Sequence, residues 1–194
     1  LDSDMLFLSD VSHWWDYMEK NFDLLITDKV FTYRNELIKD SFYRKAFKEN
    51  NLPNCYSAFT YFKKTELSQQ FWELVEIIVK DWKTFYNSFL KESKPKHLSI
   101  DVVFALAVKI LAIDDKVFSS LDYPTFTHMK SYDQKWKSCG KKWMHDVGVY
   151  FNDQCKLKIG NYQQTGIFHY TEKDFMTDDK ILKYEKMLKI WDQK

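Results

Sequence analysis

Helical periodicity between Thr65 and Leu90 constrains this chain more than any other feature. Leu67, Phe71, Leu74, Val75, Ile78, Trp82 and Phe85 recur at three- and four-residue steps, the spacing that lines one face of an α-helix. Pro95 ends the region, and Ser99 stands where it can cap a second helix over Ile100–Leu111. That second helix is apolar almost all round, so it belongs in the interior.

Shorter signals surround these two helices. Leu1–Leu8 reads as the end of a buried strand, followed by a turn at Ser9-Asp10 and a helix over His13–Lys20 capped by Ser12. Asp23–Thr27 reads as a strand that continues through Val30–Tyr33. A helix over Asp40–Asn50 stops at Asn50-Asn51-Leu52-Pro53. Cys55–Phe62 is rich in aromatic and β-favouring residues and reads as a strand. Asp114–Lys142 is expected to be loop with short elements. Val147–Phe151, Lys156–Ile159 and Gly166–Tyr170 are short strands. Asp178–Ile190 closes the chain as a helix, with Ile181, Tyr184, Leu188 and Trp191 on one face. Strands and helices intermix without a repeat, which gives an α/β class with a mixed sheet flanked by helices.

The 194 residues suffice for one domain with a real core. The 29 basic and 28 acidic residues nearly cancel, leaving a net charge of +1 and no electrostatic footprint for nucleic acid. Only four glycines are present, and no Gly-rich phosphate loop. The aromatics, 16 Phe, 12 Tyr and 7 Trp, first of all fill a core, but flat rings also line sugar-binding clefts. Cys55, Cys139 and Cys155 are widely spaced and form no CxxC pair, which favours a reduced, cytoplasmic setting. No apolar run approaches the ~20 residues of a transmembrane helix.

Asp2 and Asp4 flank one residue beside the apolar run Met5-Leu6-Phe7-Leu8. Alternate residues of an extended segment point the same way, so both carboxylates can approach one cation. Hard divalent cations favour carboxylate oxygens and retain waters and substrate phosphates. A solvated turn is the competing reading of two acids at this common spacing, but such a turn seldom adjoins so apolar a run.

The string Leu1-Asp2-Ser3-Asp4-Met5-Leu6-Phe7-Leu8-Ser9-Asp10-Val11 resembles the Asp-x-Asp segment of GT-A-fold nucleotide-sugar glycosyltransferases, including the glycogenin-like family. Asn54–Lys63, which contains Tyr56 and Ser57, is similar to that family's strand lining the donor and acceptor cleft. Ser99-Ile100-Asp101 resembles its acceptor-side helix start, and Gly166-Ile167-Phe168-His169-Tyr170 its late apolar segment with a third metal ligand. The resemblance implies a metal site of Asp2, Asp4 and His169, with Mn²⁺ or Mg²⁺ as cofactor. It implies Asp101 as the catalytic residue, orienting or deprotonating an acceptor hydroxyl. Asn54, Tyr56 and Ser57 would shape the substrate cleft, and Lys173 would meet the diphosphate. The partners implied are a nucleotide-sugar donor and a glycan, protein or small-molecule acceptor. The fold implied is the C-terminal part of a GT-A domain over residues 1–194, with the nucleotide-binding half upstream of Leu1 and no activity expected of this piece alone.

Ala58 stands where the family has Gly, Val102 where it has Gln, and the Gly and Lys-Pro-Trp after its late His are absent. These departures motivate a second reading, a noncatalytic carbohydrate-binding or assembly module that keeps the fold. His128 competes with His169 as a ligand, and Lys130 beside it could pair with a diphosphate. Imidazole suits Mn²⁺ better than Mg²⁺. Arg34 is expected in a surface salt bridge, with a fork-like contact to a phosphate as the alternative, and Trp14-Trp15 either on a helix packed against the sheet or as a stacking platform. Lys135–Lys142 and Lys180–Lys189 mark solvated faces.

Overall fold

The computed structural model describes residues 1–39, 41, 44–130, 134, 142–145 and 147–191. Cys139 and most of the basic run 135–142 therefore lie outside the described residues. Among those described, the chain is a mixed α/β protein with seven α-helices and a mixed sheet. It divides into two compact units, one of residues 1–2, 12–29 and 39–125, the other of residues 3–11, 30–38 and 126–194.

The first unit is built around helix α5, Ile100–Leu111. Every residue from Val102 to Val108 is buried, as its all-round apolar character requires. Three of these are valines, which lower helix propensity by less than ~0.7 kcal/mol each. Burying each contributes ~1.5–3 kcal/mol, so burial outweighs propensity and the helix persists. Against α5 pack α2 (Lys45–Glu49), α3 (Glu66–Lys80), α6 (Asp114–Val117) and strand β4 (Tyr56–Phe62). β4 pairs antiparallel with β2 (Leu24–Thr27), whose four residues are all buried. Helix α1, Ser12–Asn21, buries Trp14 and Met18. Trp14 stacks on Tyr123 and Trp15 on Phe59, which places the tryptophan pair on a helix packed against β4.

Three expectations change here. The periodic stretch from Thr65 to Leu90 is two helices, α3 and α4 (Trp82–Phe89), broken at Asp81 with φ −131° and ψ 42°. Thr65 caps the first of them, accepting from Ser68 N at 3.5 Å. Ser99 is the N-cap of α5 by position, but its side chain makes no capping bond. Its backbone is held instead by the Tyr86 hydroxyl, which donates to Ser99 O at 3.2 Å and accepts from Ser99 N at 3.1 Å. The described helix in the 40–50 region is only Lys45–Glu49.

The second unit carries a four-stranded sheet in the order β1-β9-β5-β3. β1 (Met5–Phe7) is antiparallel to β9 (Ile167–His169), β9 is parallel to β5 (Phe126–His128), and β5 is parallel to β3 (Val30–Phe31). Residues 23–33 are thus not one continuous strand: β2 and β3 belong to different sheets. The extended run expected over Leu1–Leu8 narrows to Met5–Phe7. A meander of β6 (Val149–Phe151), β7 (Leu157–Ile159) and β8 (Tyr162–Gln163) completes the strands. Leu6, Leu8, Phe168, Phe175 and Trp143 form its core, with Tyr184, Leu188 and Trp191 of α7 (Asp178–Trp191) against it. Ile181, expected on the same face, is exposed. No helix of the described residues is long and apolar enough to cross a membrane.

Candidate metal centre

Asp4 ends the turn that leads into β1, and the register of the sheet sets what it meets. Met5 pairs with His169 across the β1–β9 ladder, and Tyr170 N donates to Asp4 O at 3.1 Å. These bonds fix the Asp4 backbone beside the His169 side chain. His169 Nε2 consequently lies 3.1 Å from Asp4 Oδ1. Asp2, two residues earlier, brings a third group: one ligand atom each from Asp2, Asp4 and His169 fall within 4.8 Å of one another.

The donor chemistry of this cluster fits a hard or borderline divalent cation. Two carboxylates supply oxygens, and an imidazole supplies the nitrogen that shifts preference from Mg²⁺ toward Mn²⁺. Neighbouring octahedral ligands ~2.1 Å from an ion stand ~3.0 Å apart, close to the Asp4–His169 separation. Burial is graded across the cluster: Asp2 is exposed, Asp4 is intermediate and His169 is buried. An ion held here would keep an open side for water or substrate oxygens. The charge of Asp4 is felt nearby. The Tyr170 hydroxyl is pushed above its ordinary value of 10.0, first by burial and second by that carboxylate.

His128 lies on the other side of His169. The two are paired residues of the parallel β5–β9 ladder, with Nδ1 atoms 3.1 Å apart and ring centroids 4.9 Å apart. Both are almost fully enclosed, at 4% and 5% exposure, with the Phe126 ring against each. The two histidines are consecutive members of one row that runs from Asp4 through His169 to His128. Sequence spacing misses this because β5 is only three residues long and falls in a stretch read as loop. Lys130, two residues past His128, is half-buried, and Lys173 is exposed in a turn.

Within the first unit, Tyr56, Ser57 and Asp101 form a separate group around Arg44, an arginine that the sequence does not advertise. Asp101 Oδ1 accepts from Ser57 N at 2.9 Å and from Ser57 Oγ at 2.7 Å. Asp101 Oδ2 accepts from Arg44 Nη2 at 2.8 Å, and Arg44 Nη1 donates to Cys55 O at 2.7 Å. The guanidinium lies 3.5 Å from the Tyr56 ring centroid and 4.7 Å from that of Phe47. Asn54 Nδ2 donates to Asp28 O at 2.6 Å. Both carboxylate oxygens of Asp101 are thus engaged in tying β4 to α5. The Cys55 thiol is fully enclosed and pushed well above its ordinary range, first by burial and then by the Asp101 charge, which removes it as a thiolate nucleophile.

Among the described residues Arg34 makes no salt bridge, against the expectation. Its Nε donates to the Tyr33 hydroxyl at 2.9 Å, with the guanidinium 5.2 Å from that ring's centroid. Compared with known proteins, the chain matches no family model, no curated protein and no solved structure.

Proposed function

We propose that this chain is part of a metal-dependent glycosyltransferase of GT-A type, moving a sugar from a nucleotide-diphosphate donor to an acceptor hydroxyl. The observation that carries the reading is the meeting of Asp2, Asp4 and His169 within 4.8 Å, from segments at opposite ends of the sequence. Two carboxylates and one imidazole hold a cation with few protein ligands, leaving positions for diphosphate oxygens. Such an ion supplies Lewis-acid stabilisation of the departing nucleoside diphosphate. The chain's own part is to fix the donor atoms on short, mutually paired strands, so that little reorganisation is needed when the charge develops. Lys173, exposed on a turn shortly after β9, adds a cation for the diphosphate.

A second reading is favoured by one specific observation. Asp101, the candidate catalytic base, has both oxygens occupied by Ser57 and Arg44. A base must reach the proton it removes, and here the acid acts as a tie. That suits a noncatalytic carbohydrate-binding module.

The test is thermal stability of the full-length protein with Mn²⁺, with UDP or GDP, and with both together. Under the transferase reading Mn²⁺ and a nucleoside diphosphate raise the melting temperature jointly, and Asp4→Ala abolishes the rise. An unchanged response in Asp4→Ala removes the metal assignment. Sugar binding indifferent to metal selects the module reading; turnover of a nucleotide sugar excludes it.

A further inference from the structure

The His128–His169 pair has a consequence beyond enclosing a candidate ligand. We infer that His128 is a positioning residue for the metal centre: it accepts the Nδ1 proton of His169 and so holds His169 in the tautomer whose Nε2 lone pair faces the ion. The inference rests on the Asp2, Asp4 and His169 reading given above.

The argument follows from donors and acceptors alone. His169 presents Nε2 to Asp4, at 3.1 Å, and Nδ1 to His128, also at 3.1 Å. A neutral imidazole has one N–H and one lone pair. A cation shared with Asp4 needs the lone pair on Nε2, so the His169 proton must sit on Nδ1. The atom it then meets is Nδ1 of His128, which has to accept and must carry its own proton on Nε2.

Enclosure strengthens the dependence. Both rings are nearly sealed from water, so solvent is poorly placed to replace His128 as acceptor. The β5–β9 register and the bond from Met129 N to His169 O at 3.0 Å keep the two strands in step. Outer partners of metal-bound histidines commonly govern affinity by 10–100-fold.

The experiment compares wild type, His128→Leu and His128→Asn as whole chains. Mn²⁺ affinity is read by calorimetry. Ring tautomers are read from long-range ¹H–¹⁵N correlation spectra with diamagnetic Zn²⁺. An asparagine carbonyl can occupy the place of Nδ1 and accept, whereas leucine cannot. His128→Leu is expected to weaken Mn²⁺ binding by about 10–100-fold, and His128→Asn to restore most of it. Zn²⁺-loaded wild type is expected to show His128 with its proton on Nε2. Equal affinity in His128→Leu, or a loaded His128 that keeps Nδ1–H, overturns the positioning role while leaving the metal site standing. Should His128→Leu not fold, the wild-type tautomer decides. Wild type that binds neither Mn²⁺ nor Zn²⁺ overturns the metal reading and this inference with it.

Discussion

Arg44 and Asp101 are joined by a 2.8 Å ion pair in which the arginine side chain is 9% exposed and the aspartate 27%. The pair is embedded further: the arginine holds Cys55 O and lies over the Tyr56 ring, while the aspartate holds Ser57 by two bonds. Removing one partner of a buried pair strands the other, at a cost of ~3–5 kcal/mol. The partial exposure of Asp101 places Arg44→Met near the lower end, at about 3 kcal/mol by urea unfolding. Arg44→Lys does not rescue, because one ammonium cannot replace a planar fork stacked on a ring. A loss under about 1 kcal/mol would show that the cluster does not brace β4 against α5.

Asp28 makes a pH-dependent contribution of known sign. Burial raises its carboxyl above the ordinary 3.8, with Lys29 opposing. The folded chain therefore holds this proton to higher pH than the unfolded chain, and stability falls as pH rises from 3.8 through the raised value. Asp28→Asn should raise the melting temperature at pH 7 and give little gain near pH 3. The bond from Asn54 is to the Asp28 backbone and survives the substitution. A gain equal at both pH values would refute the assignment.

Tyr184 gives α7 a polar hold on β1. Its hydroxyl accepts from Phe7 N at 3.0 Å, on the strand whose other side pairs with β9. Tyr184→Phe is expected to cost about 1 kcal/mol. Burial also raises the phenol above 10.0. This contribution is complete below pH 10 and is lost as pH climbs through the raised value. The steepness of alkaline unfolding should therefore be lower in Tyr184→Phe; an identical alkaline limb would refute the coupling.

The long-range order of this chain was readable wherever one physical cause dominated. Helix α5 was legible because residues apolar on every side have nowhere to go but inward. β4, β7, β9 and α7 were legible within a residue or two because their composition and periodicity agree. The break at Asp81 was not, since the apolar spacing of α3 and α4 runs through it unbroken. β5 was not, because Phe126-Thr127-His128 becomes a strand only through neighbours on both sides. The Asp-x-Asp pair and His169 are named together as a metal site in the sequence by the family resemblance, not by their spacing. Their distances, and the ladder position that sets His128 behind His169, depend on register between distant strands, which spacing along the chain does not encode.

β9 sits between β1 and β5, although it is the last of the described strands and β1 the first. The strands of the β2–β4 pair and of the β6–β7–β8 meander lie between β1 and β9 in the sequence, so β1 cannot pair with β9 until they have been made. Closing so long a loop is entropically slow, and such non-local pairings form late. The row Asp4, His169, His128 therefore cannot exist in a half-made molecule. A cation bound there would lock the joining of β1, β9 and β5, and the site would capture metal only in chains whose β9 is already in place.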